Sequence, residues 1–296
     1  MAVATQTTRT LISRAQLGRR SGRRVYWSAL TAVVGLFTLV FLFPLYWMVS
    51  GGFKPTQELI RNPPTLIPLH PELAPYRTAW TELHMGRLLL NTLIYAGGAL
   101  ALQLTFCVAA AYALSKLRPV LGNLILGLML ATMMIPAAIL IIPQYLTVLD
   151  LPLVHWNLLN TPWVIWLPSV ANAFNIFLLK RFFDSIPQDL LDAAAIDGAS
   201  ALRTLRSIVL PMSRPILGVV SIFTVIAVWK DFLWPLLTLT DQDKMTLNVG
   251  VNNAAGSMSQ DVLIAGLAMA SLPTIVFFLL FQRNIMSGLT SGATKG

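Results

Sequence analysis

The sequence predicts an all-α, polytopic membrane protein with six transmembrane helices, both termini cytosolic, and a helical elbow projecting on the cytosolic side. Three observations predict it. The 296-residue chain is 56% hydrophobic and 11% charged, under half the charged share of about 25% usual in soluble domains. Its apolar residues fall into six long blocks, near the roughly 20 residues a helix needs to cross a hydrocarbon core about 30 Å thick. Its lysines and arginines gather in alternate connections between those blocks. Buried helices of soluble proteins usually run about 8–20 residues and keep a polar face. These blocks have none, and mean hydropathy is +0.69.

Residues 25–50 form the first block, uncharged and preceded by Arg19-Arg20 and Arg23-Arg24. Arginines before an apolar run invite a secretory or twin-arginine reading. A signal's apolar region, however, is only about 7–15 residues and ends at a small-residue cleavage site. This run is longer and no such site follows, so it reads as a retained span. Residues 1–24 read as a basic cytosolic arm near anionic lipid, with nothing that points to nucleic acid. Blocks 91–115, 122–149 and 161–179 are uncharged, and Pro136 and Pro143 predict a kinked third span. Block 216–240 carries only the adjacent pair Lys230 and Asp231, and block 262–282 is uncharged. Asn91, Gln103 and Asn172 are expected to hydrogen-bond between helices. Cys107, the single cysteine, reads as core packing, and His70, His84 and His155 have no metal-ligand spacing. No metal site is expected.

Six spans put both ends on one side. With the N-terminus inside, fifteen lysines and arginines face the cytosol and five face out, so the positive-inside rule selects that orientation. Loop 51–90 is then external and proline-rich, ordered by turns, extended segments and short helices. Loops 150–160 and 241–261 are also external. Inside, 116–121 is tight and 180–215 is large. The predicted organisation is the arm at 1–24, a six-span domain at 25–290 with its cytosolic loop at 184–215, and a tail at 291–296.

That large loop contains DAAAIDGASALRTLRSIVLP, and its punctuation predicts two helices. Ser185 caps the first, with Pro187 in the first turn, where a missing N–H costs nothing. Asp189 and Asp192 lie early, favourably against the helix dipole. The helix runs through Ile196, and Gly198 suits a left-handed turn after it. Ser200 caps the second helix, which is expected to stop before Pro211. Antiparallel helices need only about 2–8 residues to connect. A segment this long and this structured predicts a docking elbow rather than a connector, and its attachment to spans at both ends excludes a DNA-reading helix pair.

These residues resemble the "EAA" loop of bacterial ABC-importer permeases, E-A-A-x-x-x-G followed by I-x-L-P. Here that reads Asp192-Ala193-Ala194-Ala195-Ile196-Asp197-Gly198, then Ile208-Val209-Leu210-Pro211. The fuller IPQDLLDAAAIDGAS resembles the carbohydrate, maltose-type branch. WKDFLWPL resembles a W-N-x-F-x-x-P-L pattern, with Lys230 where asparagine is usual, and the likeness extends over about residues 42–296. One departure is Asp192 in place of glutamate, which keeps the charge one methylene shorter. The resemblance implies a permease subunit in a bacterial inner membrane that moves a sugar or oligosaccharide by alternating access. It implies a second permease chain, two ATPase subunits holding ATP and magnesium, and an external solute-binding protein. Asp192, Ala193, Ala194, Asp197, Gly198, Leu210 and Pro211 would form the contact with the ATPase. The chain has no G-x-x-x-x-G-K-[ST] phosphate loop, so ATP hydrolysis is expected in partner chains, with no cofactor and no enzymatic activity in this one.

Trp229, Lys230, Asp231, Phe232 and Trp234 are the candidates for the substrate pathway. Charges within a span are costly and tend to face a cavity, and aromatic rings can stack on sugars. The alternative for Lys230 is snorkelling beside a locally paired Asp231. Glycerol phosphate or another polyol is an alternative cargo. An ion-coupled secondary transporter is the alternative class, but it would need ionisable groups near mid-membrane.

Overall fold

A computed structural model describes the backbone of residues 20–293 and the side chains of residues 20–282. Most of the arm predicted at 1–24 and the last residues of the tail lie outside it. Among the described residues the named elements are all helical, with one isolated β-bridge between Leu151 and Trp156.

Helix α1 is Arg20–Gly51, and only Ser50 and Gly51 at its end are buried. A Tyr-Trp pair marks each end, Tyr26-Trp27 and Tyr46-Trp47. At 1.5 Å per residue the pairs lie about 30 Å apart, the thickness of a hydrocarbon core. Such aromatics concentrate at the two membrane interfaces. Helix α2 (Ala74–Glu82) follows in the proline-rich connection. Helix α3 (Met85–Tyr112) is prolonged by a π turn at Ala113–Leu117. Then come α4 (Gly122–Thr132), α5 (Ala137–Leu149), α6 (Trp163–Ser169) and α7 (Ala173–Asp184). Helices α8 (Gln188–Ile196) and α9 (Ala201–Met212) lead into α10 (Arg214–Lys230). Helices α11 (Leu233–Thr238), α12 (Leu247–Asn253) and α13 (Gln260–Ala293) complete the chain.

Three of these helices, α1, α3 with its π turn, and α13, are long and apolar enough to cross a membrane. Three further pairs of helices reach that length and apolarity only together and are bent at a short break, so the described residues give three crossings, or up to six if each bent pair is one crossing; the kink expected in the third block is one of these breaks. Helices α4 and α5 bend by 102°, α6 and α7 by 47°, and α9 and α10 by 82°. Each break has a local cause. Pro136 has no amide hydrogen and turns out of the helix with ψ 127°. Pro143 lies inside α5 without breaking it. Asn172 leaves the helix at ψ 110° and its side chain accepts from the Asn175 N–H at 3.0 Å. It therefore caps α7 instead of bonding between helices. Asn91 bonds the carbonyls of Asp243 and Met245 in the connection after α11. In the fifth block, Asp231 at ψ 127° ends α10. The pair Lys230-Asp231 thus sits at a helix end, not within a continuous span.

Helix α3 is the packing axis and touches α6, α7, α10 and α12, while α13 packs on α1, α2 and α10. Three apolar clusters line up along α3. One surrounds Leu88 with Leu83, Leu247 and Val262. The next joins Tyr95 to Val164, Ile165 and Leu239. The third joins Cys107, fully buried, to Ile176, Phe183, Val209 and Val220. Helix α6 reaches α3 over Gly98, where a Cβ would lie 2.2 Å from the Trp166 ring. Trp166 Nε1 donates to the Tyr95 carbonyl at 3.1 Å. This close crossing fixes α6 beside the break after α10.

Candidate functional site

The elbow begins where α7 ends. Ser185 does not cap α8 as expected. It closes α7, its hydroxyl donating to the Phe182 carbonyl at 2.7 Å. Pro187 takes the N-cap position of α8, with φ −54° and ψ 133°, and Asp189 lies in the first turn. Helix α8 ends as the sequence predicts. Gly198 is left-handed at φ +72°. Its N–H donates to the Ala195 carbonyl at 3.0 Å, and the Ala199 N–H donates to the Ala194 carbonyl at 2.9 Å. This is a complete Schellman ending. A Cβ at Gly198 would meet nothing within 4 Å, so backbone strain alone demands glycine. Ser200 caps α9, accepting from the Arg203 N–H at 3.3 Å.

Helix α9 does not stop before Pro211. It passes through a π turn at Leu205–Val209 and ends at Met212. Pro211 has no amide to bond, and the wider turn before it relieves the usual clash of its ring with the preceding turn. The sharp change of direction falls at Ser213 instead.

The elbow has two faces. Ile186, Ala194 and Val209 are buried, and Leu191, Leu205 and Leu210 pack on the Cys107–Val220 cluster. On the other face Ile196 is 87% exposed, and Leu190 and Leu202 are exposed as well. Asp189, Asp192, Asp197, Arg203 and Arg206 surround them, all exposed. Asp192 accepts from Gln188 Nε2 at 2.9 Å, one turn back. Of the residues singled out by resemblance, Ala194 and Leu210 face the bundle. Asp192, Ala193, Asp197, Gly198 and Pro211 lie at the surface.

Helices α5 and α6 and the break after α10 enclose an open cavity of about 530 Å³. Lys230, Asp231 and Trp234 line it, together with Gln144, Ser169 and Thr246. Trp229 and Phe232 do not. They pack against the Leu88 cluster. The helix break separates the two groups. The Trp229 carbonyl accepts from Asn248 Nδ2 at 2.8 Å, which pins the end of α10 to α12. Trp234 Nε1 donates to the Val164 carbonyl at 2.9 Å, which ties α11 to α6. No ion pair among the described residues joins Lys230 to Asp231. Sequence reasoning missed Gln144, Ser169 and Thr246. Gln144, an amide beside Pro143 deep in an apolar block, carried a signal, whereas Thr246 in a connection carried none. Among the described residues no three His, Cys, Asp or Glu cluster in a way that could hold a metal.

A bundle of continuous and broken apolar helices, with a side cavity and a two-helix elbow, defines the class among the described residues: a helical membrane-embedded subunit. Residues 103–290 match the binding-protein-dependent transport system inner membrane component family, and the chain belongs to it. The match takes in both the elbow and the cavity residues of α10 and α11. The chain is 33% identical over 270 residues to the diacetylchitobiose uptake system permease protein NgcG of Streptomyces coelicolor, covering 89% of this chain and 87% of that protein. It is 29% identical over 279 residues to the arabinooligosaccharides transport system permease protein AraQ of Bacillus subtilis, covering 92% and 97%. The fold matches a chain in the crystal structure of a bacterial ABC transporter involved in the import of the acidic polysaccharide alginate. The TM-score is 0.77 at 24% identity, covering 93% of this chain and 99% of that one.

Proposed function

We propose that the chain is one permease subunit of an ATP-driven importer for a sugar or oligosaccharide. Separate ATPase subunits dock on the α8–α9 elbow. The observation that carries this reading is the elbow's division into two faces. One face is packed into the bundle core, and the other presents Leu190, Ile196 and Leu202 among charges. Apolar residues exposed together on a short hydrated helix pair favour a protein partner. The Schellman turn and the Ser200 cap make the pair rigid, so a push on its exposed face passes through Val209 and Leu210 into α10. Helix α10 ends at Lys230, on the cavity. Closure of the ATPase pair would thus be transmitted to the substrate route.

The orientation follows from charge. Lys116, Arg118, Lys180, Arg181, Arg203, Arg206 and Arg214 lie at the elbow end of the bundle, and the positive-inside rule puts that end in the cytosol. Both termini are then cytosolic, α1, α3 and α13 with the broken pairs make six crossings, and the connection after α1 faces the binding protein. A second permease chain would complete the pathway. The sugar assignment rests on the relatives' names and on Trp234 beside a mainly apolar cavity that also presents Gln144, Ser169, Lys230 and Asp231. Membership in a binding-protein-dependent family speaks against the ion-coupled alternative.

Purification in mild detergent tests the reading. ATPase subunits should accompany the chain, and Ile196→Asp with Leu202→Asp should release them while leaving the chain inserted. A transport-competent preparation without ATPase subunits would overturn it.

A further inference from the structure

Segment 60–69, between α1 and α2, belongs neither to the elbow nor to the cavity. Ile60, Leu66, Ile67 and Leu69 are each more than half exposed. From residue 59 to residue 71 there is no aspartate or glutamate, and Arg61 is the only lysine or arginine. An apolar patch of this kind on a loop calls for a partner.

Its anchoring says which partner. The Tyr46 hydroxyl donates to the Leu66 carbonyl at 2.9 Å. The Lys54 ammonium donates to the Thr65 carbonyl and lies 4.6 Å from the centroid of the Trp47 ring. Both contacts fall on the Tyr46-Trp47 pair of α1, and the spacing from Tyr26-Trp27 sets that pair at a membrane interface. Behind the segment, the Glu58 carboxylate accepts from Thr65 Oγ1 at 2.6 Å and from the Leu69 N–H at 3.0 Å. These bonds occupy the Thr65 and Leu66 carbonyls, the Thr65 hydroxyl and the Leu69 amide, and leave the apolar side chains uncovered. On α1, Phe41, Leu42, Phe43 and Leu45 are exposed just below, so one apolar surface runs from the span onto the loop.

We propose that segment 60–69 is an interfacial finger whose apolar side chains insert between lipids of the leaflet at the Gly51 end of α1. Arg61 then stands at the level of the headgroup phosphates, and the aromatic pair marks the boundary. The finger braces the bundle against the bilayer. Thr56, beside it, donates to Asp261 Oδ1 at 2.7 Å at the start of α13, which links the lipid contact to both the first and the last span. The inference needs only that α1 crosses a bilayer and stands apart from the cargo and the ATPase contact.

Spin labelling tests it in the assembled complex, with native cysteines replaced, in nanodiscs of phosphatidylethanolamine and phosphatidylglycerol. A nitroxide on Ile67→Cys should be several-fold more accessible to oxygen than to a water-soluble nickel chelate. A nitroxide on Glu72→Cys should show the reverse. If position 67 is as open to nickel as position 72, the finger lies in water. If it is closed to both reagents, another subunit covers it. Either result overturns the proposal.

Discussion

The elbow and the loop after α1 are both compact structures between apolar helices, yet they are held in opposite ways. The elbow is held by apolar side chains. Ile186, Ala194 and Val209 are buried in the bundle, and its polar bonds serve to shape its own turns. The loop is held by polar side chains. Lys54, Glu58, Tyr46 and Thr56 bond to backbone or carboxylate partners, and its apolar residues are left outside. An element packed into a core moves with that core, as a lever must. An element tied by hydrogen bonds at a membrane interface keeps its place while spans move. The two regions thus suit transmission and bracing, respectively.

The contrast can be broken at its strongest points first. Val209→Asp places an unpaired charge in the elbow's anchor and should cost more than about 4 kcal/mol. The chain should fail to emerge as a single folded species in detergent size-exclusion chromatography. Lys54→Met removes a buried charged donor from the loop and should cost about 2 kcal/mol. That is roughly a 30-fold increase in opening of segment 60–69 by hydrogen exchange, with the elbow unaffected.

A pH titration sharpens the same contrast. The hydrogen bond from Thr65, outweighing the opposing effect of burial, holds the Glu58 carboxyl below its ordinary value of 4.5. A depressed carboxylate stabilises the fold above its unfolded-state value, and that contribution is lost as pH falls through the folded value. Exchange protection of the Leu69 amide should therefore decline as the solution is acidified below about pH 4.5, and Glu58→Gln should remove that dependence. The smallest effect belongs to Ser200→Ala, which loses a helix cap worth about 1 kcal/mol. It should loosen the first turn of α9 in hydrogen exchange without changing assembly.

What the sequence disclosed, and what it withheld, follows the same division. Gly198 and Ser200 act within a few residues of themselves, so their roles were legible from spacing alone. Ser185 misled because the preceding helix claims it first, and Pro211 misled because a π turn accommodates it. Pro136 announced the break in the third block, but nothing in the fourth and fifth blocks announced theirs. Asn172 acts as a cap only because the chain turns there, and Asp231 ends α10 in the middle of an apolar block. The cavity was half legible. Lys230, Asp231 and Trp234 stood out as charge and aromatic in an apolar run. Gln144 and Ser169 join them through the packing of α5 and α6, and Thr246 from the start of α12, which long-range contacts decide. The loop's lipid-facing character was hidden because it depends on which side chains of an apolar, proline-rich stretch are left uncovered.

The central claim is that the elbow is a rigid coupling element, and one substitution tests it directly. Gly198→Val leaves both helices and every buried contact in place but forces a β-branched residue into a left-handed conformation, at a cost of about 1–2 kcal/mol. In the reconstituted importer, ATPase subunits should still be bound, and substrate-stimulated ATP hydrolysis should fall by about tenfold. Wild-type stimulation by Gly198→Val, with the complex intact, would contradict the account.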